Sequence, residues 1–190
     1  MFSFLFKDVP LSVIRHNDLP CYHKEGYGGR PIHEWPMYKF YKEYAEGETE
    51  RATQHFSEWY HEQLQRYEYT PKTEGGMYKG SLYTLIEKMG KSDYDTVSDA
   101  VKDNAIRQRV SERFQLLENI RDHGYDSLHT EPIHAIRRNG FVYPVRGHHR
   151  AAVLQVLGKE VLPHVLVFPN QFIYNLVRFL RNIKHGNVHK

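Results

Sequence analysis

Apolar positions along this chain change their period twice, and the changes divide it into three parts. Residues 20–36 contain Pro20, Gly26, Gly28, Gly29, Pro31 and Pro36 and show no regular period, which predicts a long ordered loop in an aromatic-rich first third. A short helix is predicted from about Trp35 to Tyr44. A longer one follows over Glu48 to Tyr67, where Ala52, His55, Phe56, Trp59, Tyr60 and Leu64 recur at helical spacing. The stretch from Thr70 to Gly80 breaks that pattern, and Ser81 then caps a predicted helix that reaches about Met89 and is closed by Gly90. The strongest helical stripe spans residues 98–122. Ser98 caps it, Gly124 ends it, and Val101, Ala105, Ile106, Val110, Phe114, Leu117 and Ile120 form its apolar side.

In the last third the period shortens to that of strands. Pro132 to Arg138 and Phe141 to Val145 are predicted strands joined by Asn139-Gly140, the pair preferred where both central residues of a tight hairpin need positive φ. A helix over residues 147–157, stopped by Gly158, leads into the apolar run Val161 to Val167. Strand, helix and strand of these lengths predict a crossover with parallel pairing. A final helix from Gln171 to about Ile183 carries Phe172, Leu176, Val177, Phe179 and Leu180, and the tail from His185 is predicted to be loose. The expected fold is therefore α+β. Residues 1–97 form a mainly helical, aromatic-rich N-terminal elaboration, and residues 98–190 form a small mixed sheet with helices.

Composition narrows the class without naming an activity. With 40% hydrophobic and 26% charged residues the chain reads as globular, and no segment approaches the roughly 20 apolar residues of a membrane span. The first ten residues lack a basic leader and a small-residue cleavage site, so no signal peptide is expected. The single cysteine, Cys21, excludes an intramolecular disulfide and fits a cytoplasmic protein. A net charge of +3 with Lys and Arg scattered among nearly as many acids lacks the basic stripe of a DNA binder, so nucleic acid is a partner the chain permits but does not indicate. Fourteen tyrosines and 13 histidines point to many half-buried groups with an apolar body and a polar tip.

Chemistry concentrates between Phe141 and Gly158. There an apolar run breaks at Arg146-Gly147-His148-His149-Arg150 and a short helix begins, the form of a strand feeding a helix through an anion-binding turn. The first turn of a helix has backbone N–H groups without intrahelical partners and carries partial positive charge. Gly147 allows close backbone approach, and Arg150 can fork two phosphate oxygens.

The string from Ile120 to Val167, read as helix, Gly124-Tyr125-Asp126, Glu131-Pro132-Ile133, hairpin, Gly147-His148-His149-Arg150, helix, Gly158 and strand, resembles the ParB/sulfiredoxin superfamily over about a quarter of the chain. That resemblance implies a ParB/sulfiredoxin-like sheet and a turn that binds nucleotide phosphates. Sulfiredoxins place a nucleophilic cysteine where His148 stands, which argues against their chemistry here. Partition proteins continue into a DNA-reading domain, for which the residues after 168 offer only one helix. The kinase-like branch reads Asp-Gly-His-x-Arg. Many relatives read Asp-Gly-His-His-Arg, from which this chain departs only in having Arg146 for Asp. An acid there helps hold Mg²⁺ or orient the acceptor, whereas arginine strengthens anion binding.

The resemblance thus implies a phosphotransferase acting on a small hydroxyl compound with ATP, ADP or CTP and Mg²⁺, the second reading being a noncatalytic ParB-like nucleotide- or nucleic-acid-binding module. Arg146, Gly147, His148, His149 and Arg150 are the expected phosphate contacts. His148 and His149 are also candidate acid and base, one of them expected to pack beneath the helix, and Glu131 is a candidate general base. Glu112 and Glu118 read as a solvated helix face. Gly75 to Ser81 is glycine-rich but is not a Walker A loop, because Lys79 precedes the last glycine. Lys72, Lys79 and Ser81 are candidates for a second anion or substrate contact, from an N-terminal half expected to close over the site. His129 and His134 lack zinc-ligand spacing, and no metal ligands are assigned. Trp35 and its neighbouring tyrosines could wall a substrate pocket, though aromatic residues at such density are more often core.

Overall fold

The computed structural model describes residues 6–17, 28–68, 98–125 and 132–184, without the side chains of 63–68 and 178–184. The predicted helix from Ser81 to Met89, the tail beyond residue 184, Cys21, Lys72, Lys79, Ser81, His129 and Glu131 lie outside the described residues.

The fold is α+β. Strands β1 (Phe6–Pro10), β2 (Ile133–Arg138), β3 (Phe141–Pro144) and β4 (Val161–Phe168) form one mixed sheet in the order β1-β4-β2-β3. Five α-helices accompany it among the described residues: α1 (Pro36–Ala45), α2 (Thr49–Glu68), α3 (Asp99–His123), α4 (His148–Val156) and α5 (Gln171–Lys184). Short 3₁₀ turns at Leu11–Val13 and Ile32–Glu34 complete the described elements. None of the described helices is long and apolar enough to cross a membrane.

The chain forms two compact units, one of residues 1–39 with 120–190 and the other of residues 40–119. The first holds the sheet. Its hairpin has the predicted geometry, with φ of 49° at Asn139 and 79° at Gly140. β3 pairs antiparallel to β2, from Arg138 opposite Phe141 to Ala135 opposite Pro144. The parallel pairing is made by β4 with β2, Ile133 lying opposite Val165, and not by the two strands that flank α4. The reason is the hairpin: it reverses the chain before α4 begins, so β3 runs against β4 and the parallel partner is one strand further back. Ile133, Ala135, Ile136, Val142, Leu162, Val165 and Phe168 are all buried.

β1 has no counterpart in the sequence reading. Phe6-Lys7-Asp8-Val9-Pro10 buries only Val9 and contains two residue types that strands avoid. It sits at the sheet edge, antiparallel to β4, where Pro10 is tolerated. The register shifts between Lys7 and Val9, with Pro163 and His164 of β4 set against Asp8 alone. His164 takes the extra residue's left-handed conformation (φ 52°), and its N–H donates to the Asp8 carboxylate at 3.2 Å.

The second unit is helical and aromatic. Phe40, Tyr41, Phe56 and Tyr60 are buried, with ring centroids 4.7 Å apart for Phe40–Phe56 and 5.5 Å for Phe56–Tyr60. On α3, Ala105, Ile106, Val110, Phe114 and Leu117 of the predicted stripe are buried, and the Ser98 carbonyl accepts from the N–H groups of Val101 and Lys102.

Candidate functional site

The hairpin delivers the chain to α4 through a turn fastened to β2. The N–H groups of Val145 and Arg146 both donate to the His134 carbonyl, at 2.7 and 3.3 Å. Gly147 follows at φ 91°, in the left-handed region, and stands as the N-cap of α4. Two constraints make it glycine. The conformation disfavours a side chain, and a Cβ would lie 2.7 Å from Cγ1 of Ile133. Having no side chain, Gly147 cannot cap the helix itself, so α4 opens with its first-turn amides flanked by Arg146 and Arg150.

Of the two histidines, His148 is buried. Its ring lies 5.7 Å from that of His16 and 5.7 Å from that of Trp35, and His16 meets Trp35 edge-on at 5.3 Å. Burial lowers the His148 pKa to about 3, the neighbouring His16 adds to the fall, and a hydrogen bond to the Pro144 carbonyl opposes it. The ring is therefore neutral near pH 7. His16 is buried, as is Asn17, its neighbour in the chain, and neither amide atom of Asn17 has a hydrogen-bond partner among the described residues. Trp35 is anchored as well, its Nε1 donating to the Arg30 carbonyl at 3.0 Å, the same oxygen that accepts from the His16 N–H at 2.8 Å. These rings brace the start of α4 from inside.

The remaining turn residues lie nearer solvent. Arg146 is exposed, and His149 and Arg150 are half-buried. The Nη1 of Arg150 donates to the Tyr125 hydroxyl at 3.2 Å. Tyr125 sits just past Gly124, whose φ of 78° ends α3 and whose N–H returns to the Ile120 carbonyl at 3.0 Å. Arg146, Gly147, His148, His149 and Arg150 are thus contiguous in one turn and helix start, with His148 facing the interior. His16, Trp35 and Tyr125 are the neighbours that sequence reasoning did not attach to the turn. Gly124, just before Tyr125, gave a helix end, but nothing in the local spacing gave the partner of Tyr125.

A second concentration of polar groups lies within residues 40–119. Glu43 is buried, accepts from Nδ1 of His55 at 2.8 Å and lies 3.5 Å from Nε of Arg51. Nε of Arg113 donates to the Tyr60 hydroxyl at 3.2 Å. Burial raises the pKa of Tyr60, and that of buried Tyr41 well above its usual value, while Arg113 pulls both down. Tyr44 stacks on Phe114 at 3.9 Å and donates to Glu118 at 2.7 Å. An open cleft of about 430 Å³ borders that pair, with Thr49, Thr53, Arg107 and Ser111 among its walls. Glu118, read from sequence as a solvated position, is thus engaged by a tyrosine. No group of three or more His, Cys, Asp or Glu side chains among the described residues is arranged to hold a metal ion.

Comparison with known proteins returns no relative: no family, no curated protein and no solved structure matches this chain.

Proposed function

We propose that this protein binds the phosphate groups of a nucleoside phosphate at residues 146–150 and uses the site to transfer a phosphoryl group to a small hydroxyl compound. The observation that carries the binding step is Gly147, held at φ 91° against Ile133, which opens the first turn of α4 between two arginines. First-turn amides, a helix dipole and two guanidinium groups favour a dianion over any neutral ligand. In this reading Arg146, Arg150, His149 and the α4 amides meet the phosphates, and His148 holds the turn from below. The helix start after a hairpin, on a mixed four-strand sheet, also supports a ParB/sulfiredoxin-like architecture for this part of the chain.

The turn at residues 146–150 contains no Asp or Glu and so offers Mg²⁺ no carboxylate of its own; the ion would enter bound to the nucleotide's phosphate oxygens and water. In the transfer step the acceptor hydroxyl oxygen bonds to the terminal phosphorus, and the bond from that phosphorus to the leaving phosphate oxygen breaks. The hydroxyl proton passes to a base, for which Glu131, two residues before β2 in sequence, is the candidate. The same lack of carboxylates favours a second reading, a nucleotide-binding module without transfer.

Thermal unfolding with ATP, ADP and CTP, each with and without Mg²⁺, tests the binding step. At least one nucleotide at about 100 times its Kd is expected to stabilise the chain by roughly 2.7 kcal/mol, and Arg150→Ala is expected to abolish the shift. A chain indifferent to all three nucleotides and to inorganic phosphate would sink the reading. Binding without loss of the terminal phosphate to any of a panel of small alcohols selects the module instead.

A further inference from the structure

Residues opposite one another on neighbouring strands project to the same face of a sheet, and alternate residues of one strand share that face. The registers of β2 with β3, β2 with β4 and β4 with β1 therefore put Ile136, Phe168, Leu166, Phe6, Phe141 and Arg138 on one face. α5 covers this face in part: Tyr174 packs with Ile136, Val145 and Phe168, and Ile173, Val177 and Leu166 join them. The opposite face is closed, with Ile133, Ala135, Val142 and Val165 all buried. The α5 side is not. Phe6 is 54% exposed and Phe141 36%, while on the helix Phe172 is 72% and Leu176 41% exposed. Four of the five large apolar side chains that stand open among the described residues thus belong to this side of the sheet.

The sequence extends the pattern. Apolar positions recur at 172, 176, 179 and 183, a helical spacing that runs through the last turn of α5. Charge sorts with them, since residues 161–190 contain four Lys or Arg and no Asp or Glu. On the sheet, the Arg138 guanidinium lies over the Tyr143 ring at 5.3 Å and that of Arg15 over the Phe141 ring at 4.2 Å. We propose that this face docks on the surface of a membrane that carries anionic lipid: Phe172 and Leu176 enter the boundary between headgroups and acyl chains, while Arg138 and the basic stretch from residue 178 answer the negative headgroups. A basic amphipathic helix lies along such an interface, and no described helix is long and apolar enough to cross the bilayer instead. A second copy of the chain fits the face less well, because it would set one acid-free basic stretch against another.

Cosedimentation of the full chain with vesicles tests the assignment, comparing phosphatidylcholine alone with an equal mixture of phosphatidylcholine and phosphatidylserine. Wild type is expected to bind the mixed vesicles at least about tenfold more tightly than the neutral ones, and to be released as salt is raised. The double variant Phe172→Ser, Leu176→Ser is expected to lose at least about tenfold in affinity for the mixed vesicles. It should keep the wild-type urea midpoint, because neither side chain is buried. If the double variant is destabilised, Phe172→Ser alone, at the more exposed position, takes its place. Wild-type chain that ignores the mixed vesicles overturns the assignment, and a dimer that dissociates in the serine variant then gives the face to a second copy. Undiminished vesicle binding in a folded serine variant overturns it as well, as does equal binding to neutral and anionic vesicles.

Discussion

His148 is the residue whose environment departs furthest from what its neighbours in sequence suggest. Two adjacent histidines at a helix start look alike on paper, yet burial separates them, and His148 is held neutral with a pKa near 3 against an ordinary value of 6.5. As pH falls below about 6.5 the unfolded chain takes up this proton and the folded chain does not. Stability is therefore lost progressively from about pH 6.5 down toward pH 3, the loss from this group reaching roughly 2 kcal/mol by pH 5. Urea unfolding of wild type and His148→Gln at pH 7 and pH 5 measures it: the wild type is expected to lose about that much more than the variant, other histidines cancelling in the difference. The turn itself was legible in the sequence, because a glycine between a strand and a helix has few reasons to be there. Its surroundings were not. His16 and Trp35 reach the ring of His148 through tertiary contacts, and no local pattern announces a partner more than a hundred residues away.

At the level of elements, those with a strong period of their own were readable and those defined by a neighbour were not. The stripe on α3, the Asn139-Gly140 hairpin and the starts of α4 and α5 follow from local spacing and turn chemistry. β1 does not, since its five residues become a strand only because β4 offers an open edge. β4 in turn accommodates β1 through the bulge at His164, a non-glycine residue in the left-handed region. That conformation costs a branched or ringed side chain about 1–2 kcal/mol, and glycine there gives back about 0.5–1 kcal/mol through its freer unfolded chain. His164→Gly is thus expected to stabilise the protein by up to about 1 kcal/mol, read from the urea midpoint at constant slope. A destabilised variant would mean that the contact of His164 with Phe6, at 5.9 Å between rings, outweighs the backbone term.

The molecule as a whole is assembled out of sequence order. One unit takes its residues from both sides of the other, and its sheet is bounded by a strand that begins at residue 6 and pairs with one that begins at residue 161. Removing residues 1–10 strips β4 of its antiparallel neighbour and bares an edge beside buried Leu162 and Val165. The truncated chain is expected to unfold at least about 5 °C lower and to lose solubility on warming, measurable by calorimetry and light scattering. An unchanged midpoint would show that β1 contributes nothing to the sheet. The same long-range pairing orders events in time while the chain is being made. At about 5–20 residues per second, β1 waits roughly 10–30 s after leaving the ribosome before β4 is synthesised. Through that interval residues 40–119 emerge complete and can gather their aromatic core, while the first strand stays unpaired and open to whatever chaperone or competing edge it meets.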